Sequence, residues 1–197
     1  MTALDCVWLR PLAFMLAAAV HLTTPAFGQA PSLSERITQC NACHGEDGNS
    51  RLEKIPSLAG QPEFFILNQL FLMRERVRRV EAMVEVVKDL KDPDIDALAK
   101  HFAKLLPKAS GEPIDQQLAK RGAELATRLR CGSCHLPDLV GHQQMPRLAR
   151  QRVDYLVWSL KEYRDNTRTG ADTLMNNVVQ GLSDADLAAL AHYSASK

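Results

Sequence analysis

The sequence predicts an all-α protein in which one helical unit is written twice. Two observations lead there. First, Cys40-Asn41-Ala42-Cys43-His44 returns as Cys131-Gly132-Ser133-Cys134-His135, an offset of 91, and later landmarks return at nearly the same distance. Second, the apolar residues that follow each copy fall at helical spacing, and no stretch alternates as a strand would.

Cys-x-x-Cys-His is the attachment signature of c-type haem. Two thiols about one helical turn apart can form thioethers to the two vinyl groups of one porphyrin. The adjacent histidine then sits beneath the iron as its proximal ligand. One copy could serve dithiol or zinc chemistry. Two copies, each with its histidine, behind an export signal point to two covalent haem c groups, held by Cys40, Cys43, Cys131 and Cys134, with His44 and His135 on the irons. Paired disulfides are the other use of four cysteines in an exported chain, but they have no need of the histidine.

Residues 1–28 read as a signal peptide. Arg10 closes a short polar region, Leu12 to Leu22 is apolar, and Ala26-Phe27-Gly28 has the small-x-small form of a cleavage site, with Ala30 as second choice. Eleven residues are too few to span a bilayer as a helix; an uncleaved anchor is the alternative. Cys6 leaves with this segment, so the mature chain keeps only the four motif cysteines. The compartment is then the periplasm. With 24 Lys+Arg against 23 Asp+Glu, net charge +1, the chain offers nucleic acid no electrostatic footprint.

The elements follow in order. A short helix, Leu33 to Gln39, leads into the first motif. Pro56-Ser57-Leu58-Ala59-Gly60-Gln61 corresponds to Pro146-Arg147-Leu148-Ala149-Arg150-Gln151 at an offset of 90. After Gln61 a helix carries Phe65, Leu70 and Val77; after Gln151 its counterpart carries Val153, Leu156, Val157, Leu160 and Tyr163. The last helix of the first half starts with Asp92 as N-cap and Pro93 at its first position, and carries Ile95, Leu98, Phe102 and Leu105. Its counterpart starts near Ser183 and carries Leu187, Leu190 and Ala191. Pro107 to Pro113 reads as a linker, and a longer helix with Ile114, Leu118, Gly122, Leu125 and Leu129 leads into the second motif. The domains are therefore 29–106 and 114–197, with linker 107–113. Units of roughly 75–80 residues are marginal on an apolar core alone, and a covalent haem staples each.

Each iron also needs a group on its far side. A Met thioether there closes the iron and raises its potential; an empty site permits catalysis or gas binding. Met83 and Met175 recur in register, 40 and 41 residues after the second cysteine of their motifs. A lone Met is more often core than ligand; a pair in register in two haem units reverses that preference. The valines around Met83 would equally suit an apolar helix. Met73 and Met145 lack Met counterparts. His101, His142 and His192 are out of register, and His21 lies in the signal segment.

With these residues in place, the chain resembles the dihaem cytochromes of the cytochrome c4 type. The resemblance covers the mature chain and is carried by Cys43-His44-Gly45-Glu46-Asp47-Gly48-Asn49, by the two Pro-x-Leu-Ala-x-Gln segments and by Gly181-Leu182-Ser183-Asp184-Ala185-Asp186 after Met175. It implies two tandem class I cytochrome c domains, each wrapped around one covalent haem, facing each other across a pseudo-twofold. It implies His44 and His135 as proximal iron ligands, Met83 and Met175 as distal ones, and backbone carbonyls of Pro56 and Pro146 on the proximal histidines. It also implies Gly122 as a close-packing point between the first and last helices of the second half. Three departures stand out: the first half lacks a long leading helix with its Gly, Arg74 to Arg79 is unusually charged, and Leu136-Pro137-Asp138 stands where the family has Gly-x-Asp.

The function this implies is a periplasmic electron carrier and not an enzyme. It would pass single electrons from a quinol-oxidising complex or a dehydrogenase towards a terminal oxidase, with peripheral membrane association open. Two other readings fit the residues: a dihaem subunit of a dehydrogenase such as a flavoprotein that oxidises sulfide, and a haem enzyme or sensor with one open iron. Arg74 to Arg79 reads either as a docking patch for an acidic partner or, as such runs more often are, a solvated helix face.

Overall fold

Ser32 starts the first helix by a reciprocal cap: its hydroxyl accepts from the Glu35 N–H, and the Glu35 carboxylate accepts from the Ser32 N–H at 2.7 Å. The structure, a computed structural model, describes residues 30–170 and 173–197; the expected signal peptide, 1–28, with Cys6 and His21, lies outside the described residues. Helix α1 (Leu33–His44) does not stop at Gln39 as the sequence suggests. It runs unbroken through the haem motif to His44, where Gly45 ends it at φ +87°. Helices α2 (Glu63–Arg74), α3 (Glu81–Val87) and α4 (Asp92–Ala103) complete the first half.

The second half repeats this order with one change. Helix α5 (Gln116–Arg128) is a separate leading helix, capped by the Asp115 carboxylate on the Gln117 and Leu118 N–H groups. Arg130, at φ +57°, breaks the chain before the motif, which forms its own short helix α6 (Gly132–His135). Helices α7 (Val153–Arg164), α8 (Thr173–Val179) and α9 (Asp184–Ala195) then answer to α2, α3 and α4. Helix α9 starts where the sequence places it, and Ser183 caps it in a reciprocal box with Asp186. The expected Asp92 cap is displaced by one residue: Asp92 lies inside α4, Lys91 is the cap position, and the Asp94 carboxylate accepts the Lys91 N–H at 2.8 Å.

Each half has its own apolar core. In the first, Ile66 of α2 and Val87 of α3 pack with Ile95, Leu98, Ala99 and Phe102 of α4. Leu98 and Phe102 are 1% exposed, each worth about 1.5–3 kcal/mol of apolar burial. In the second, Leu125 and Ala126 of α5 meet Ala189 and Leu190 of α9, while Val153 and Leu156 of α7 meet Ala191 and Ala195. Two expected core positions fall elsewhere. Val77 lies past the end of α2 and is 49% exposed, and Leu105 lies past the end of α4 and is half-buried.

The dominant helix pair differs between the halves. Helix α5 lies along α9 in the second, whereas α4 packs chiefly on α2 in the first and only lightly on α1. The residue 91 positions before Gly122 is Pro31, ahead of the start of α1, so the first half has no turn of helix to make that crossing. At Gly122 the crossing is close enough that an added Cβ would lie 2.0 Å from the Ala189 carbonyl oxygen and 2.7 Å from the Tyr193 Cβ.

The obstruction at Gly122 is backbone, which cannot rotate aside. Gly122→Ala should therefore destabilise the protein by about 3 kcal/mol or more, read as a lower midpoint in denaturant unfolding of the second half. Gly132→Ala, whose Cβ meets nothing closer than 3.3 Å, should cost less than about 1 kcal/mol.

Candidate haem pockets

One cavity of about 460 Å³ runs between the helices, and all eight residues singled out from the sequence line it: Cys40, Cys43, His44 and Met83 from the first half, Cys131, Cys134, His135 and Met175 from the second. The two motifs place their histidines by one device. His44 ends α1 and His135 ends α6, and each imidazole is turned inward, 7% and 4% exposed. Nδ1 of His44 lies 2.8 Å from the Pro56 carbonyl oxygen, and Nδ1 of His135 lies 2.9 Å from that of Pro146. A carbonyl only accepts, so Nδ1 carries the hydrogen and donates it, which leaves Nε2 as a bare lone pair. Burial pushes both imidazoles below the usual histidine range, against the carbonyl bond that pulls the other way. Both are thus neutral donors. Nε2 of His135 is buried without any hydrogen-bond partner, the state of a nitrogen shaped for a metal.

The cysteines fit thioether formation and not dithiol redox chemistry. Cys40 and Cys131 are half-buried, Cys43 and Cys134 are exposed, and no disulfide joins them. Burial pushes the Cys40 thiol up to about 11 and raises Cys131 as well. A redox dithiol needs a lowered thiol. Nor do three His, Cys, Asp or Glu side chains converge as a zinc site would require, among the described residues.

Met83 sits on α3 and Met175 on α8, matched helices of seven residues, and both side chains are half-buried at the cavity. Met73 on α2, Met145 and its counterpart Ile55 also line the cavity. His101, His142 and His192 do not line it. His101 stands edge-on to the Phe102 ring, His142 is exposed, and His192 accepts the Asp115 N–H at 3.2 Å.

The arginine run does not form one solvated helix face. Helix α2 ends at Arg74, which is tied to Glu75 at 2.8 Å and Asp92 at 2.7 Å. Arg76 and Arg79 are exposed, but Arg78 turns into the cavity, 9% exposed, and donates to the Gln69 side chain at 2.6 Å. Arg168, 90 residues on and also 9% exposed, does the same from the other half, donating to Ser159 and Glu162. Both guanidiniums act electrostatically on the Tyr155 hydroxyl, which shares the cavity wall with them. Burial raises that hydroxyl, yet the two cations outweigh it and hold it below the ordinary tyrosine range. An otherwise apolar cavity with two buried cations at one side suits a flat apolar macrocycle that carries carboxylates. Sequence reasoning missed this cluster, although the in-register pair Arg78 and Arg168 was there to find.

Comparison with known proteins agrees with this geometry. The cytochrome c family model matches residues 119–196. Cytochrome c4 of Pseudomonas aeruginosa is 33% identical over 179 residues, covering 85% of this chain and 88% of that protein. The thiosulfate dehydrogenase electron acceptor of Thiomonas intermedia is 30% identical over 200 residues, covering 95% of this chain and 91% of that protein. The crystal structure of reduced recombinant cytochrome c4 from Pseudomonas stutzeri superposes with a TM-score of 0.74 at 30% identity, covering 83% of this chain and 97% of that one. A doubled haem motif shared along nearly the whole length of such relatives leaves one placement: the chain belongs to the cytochrome c4 family, dihaem c-type electron carriers.

Proposed function

We propose that His44 and Met83 are the axial ligands of the first haem, His135 and Met175 those of the second, and that Cys40, Cys43, Cys131 and Cys134 are the covalent attachments. The observation that carries this is the doubled geometry: in each half a buried neutral histidine and a methionine on a matched short helix line the same cavity. Haem iron supplies a one-electron couple, and a thioether on its far side favours the reduced state while excluding other ligands. The chain's own residues hold the proximal imidazole in one tautomer, surround the pocket with apolar side chains and keep bulk water out. Arg78, Tyr155 and Arg168 receive the carboxylates of the macrocycle, offsetting charge that would otherwise be buried unpaired.

The working units are 29–106 and 114–197, joined by 107–113. Their junction is supported by Lys108, paired with Asp47 at 2.7 Å, and by Glu112, whose carboxylate accepts the Val153 and Asp154 N–H groups at 2.8 and 3.2 Å and so caps α7 from the linker. The protein works in the periplasm, carrying electrons from a quinol-oxidising complex or a dehydrogenase towards a terminal oxidase. The Thiomonas relative, by its name an electron acceptor of a thiosulfate dehydrogenase, supports the dehydrogenase side. Contact with the membrane is peripheral in this reading; among the described residues no helix is long and apolar enough to cross one.

Carbon monoxide tests the ligand set. The reduced wild-type protein should bind none. Met175→Ala and Met83→Ala should each bind one equivalent per chain, and Met73→Ala none. A Met175→Ala protein that stays closed to carbon monoxide would overturn the assignment. Removing one guanidinium should also release the Tyr155 hydroxyl: in Arg78→Leu its titration, followed by NMR of the tyrosine Cζ carbon, should move to higher pH than in the wild type.

A further inference from the structure

Gln61 and Gln151 are each 4% exposed, and neither side-chain amide bonds within its own Pro-x-Leu-Ala-x-Gln segment. Each reaches into the other half. Gln151 Oε1 accepts the Ser57 N–H at 2.8 Å, and its Nε2 donates to the Ser57 carbonyl at 2.9 Å. Gln61 Oε1 accepts the Arg147 N–H at 3.0 Å, and its Nε2 donates to the Arg147 carbonyl at 2.9 Å. The backbone partners fix the orientation of both amides, since an N–H can only donate and a C=O can only accept.

The residues gripped are the ones next to the histidine-holding prolines. The Ser57 N–H belongs to the same peptide group as the Pro56 carbonyl, and the Arg147 N–H to the same peptide group as the Pro146 carbonyl. A continuous chain of hydrogen bonds therefore runs from Gln151 of the second half, through the 56–57 peptide, to His44 Nδ1 of the first. Its mirror runs from Gln61 of the first half, through the 146–147 peptide, to His135 Nδ1 of the second.

Peptide groups polarise cooperatively: when the N–H donates, the carbonyl of that group becomes a stronger acceptor. A stronger carbonyl draws the Nδ1 hydrogen further from the imidazole, which makes Nε2 more basic and a better donor to iron. A more basic ligand stabilises the oxidised metal and lowers its potential.

We infer that Gln61 and Gln151 are crossed positioning residues, each tuning the proximal histidine, and through it the potential, of the haem in the opposite half. This rests on the proposed ligation by His44 and His135. It makes the contact between the halves part of each iron's ligand environment, so that a change at the junction would retune both centres. Gln151 Oε1 also accepts the Arg152 N–H at 3.0 Å, whereas Gln61 Oε1 serves the Arg147 N–H alone, so the relay to the second haem is the less divided of the two.

The test uses the full-length holoprotein with Gln151→Met and Gln61→Met, which keep length and apolar volume and remove the amide. Hyperfine-shifted haem methyl signals, assigned to each half and followed through a redox titration, report each iron separately. Gln151→Met should raise the potential and move the ferric methyl shifts of the first haem, leaving the second near its wild-type values. Gln61→Met should do the converse. A purely structural clasp would move both haems together, or neither while unfolding at lower denaturant; either result overturns the inference, as does a shift confined to the variant's own half. Should a variant not fold, NMR scalar couplings across the Ser57 and Arg147 N–H bonds to the glutamine side chains decide in the unaltered protein, and their absence overturns it. Failure of the proposed histidine–methionine ligation itself would look different: the unaltered reduced protein would bind carbon monoxide.

Discussion

The structure depends on two neutral imidazoles buried with one nitrogen committed and the other bare. A histidine in water has no preferred tautomer strong enough to serve a metal. Here the choice is made by a proline carbonyl, whose residue has no N–H of its own to compete for the position. The carbonyl must sit at a fixed place in line with the Nδ1–H bond, and that requirement explains the loop after each motif. In the first half Gly48 accepts two N–H groups from Leu58 and Ala59, which brings 56–59 back beneath the motif. In the second, Leu139 accepts the corresponding pair from Leu148 and Ala149. The loop sequences differ, Gly-Glu-Asp-Gly against Leu-Pro-Asp-Leu, but both place a residue with positive φ at each end, at +87° and +71° against +67° and +55°. The departure of the second loop from the family pattern is thus tolerated at a cost in backbone strain, since leucine occupies a region that favours glycine.

Around these fixed points the two halves are packed differently. The second is organised by α5 on α9, sealed at Gly122 and Ala189. The first cannot form that crossing, because its leading helix begins at Leu33, only seven residues before the motif cysteine Cys40. It relies on α2 against α4 and on the buried Arg36, which reaches Asp94 at 3.1 Å and the Asp89 carbonyl at 3.4 Å. A charged pair has replaced part of a helix interface, which holds α1 in place but adds less stability than apolar packing of the same area.

The sequence made the doubled architecture legible because that architecture is local. The motif is five contiguous residues, Met83 and Met175 keep register with it, and the cap at Ser183 is written in four residues. What escaped has a common physical origin. Arg78 lines the cavity together with Arg168 and Tyr155, 90 and 77 positions away. The role of the glutamines depends on partners 86 and 94 positions away. Pattern within one half cannot reveal a contact with the other. The extension of α1 through the motif was a different miss: Cys40 to His44 carries no breaker, while the second motif is preceded by a residue at positive φ that no arginine side chain announces.

A protein that carries two irons needs them in a lasting relation, since the rate of exchange between redox centres falls steeply with separation. An apolar seam would hold the halves together but permit sliding, because one hydrophobic contact substitutes for another at little cost. The seam here is tied by directional bonds instead, among them four from the glutamine amides, one from the Arg147 Nε to the Gly60 carbonyl at 3.0 Å, one from the Arg79 N–H to the Thr169 hydroxyl at 2.8 Å and one from the Lys54 N–H to the Asp154 carboxylate at 3.1 Å. Buried polar groups of this kind are costly in any arrangement that leaves them unpaired. A displacement of the halves by one residue would break all of them at once, so the seam specifies one relation. Because the glutamine bonds end on the peptides that orient His44 and His135, the same groups that fix the geometry between the centres also reach the centres themselves.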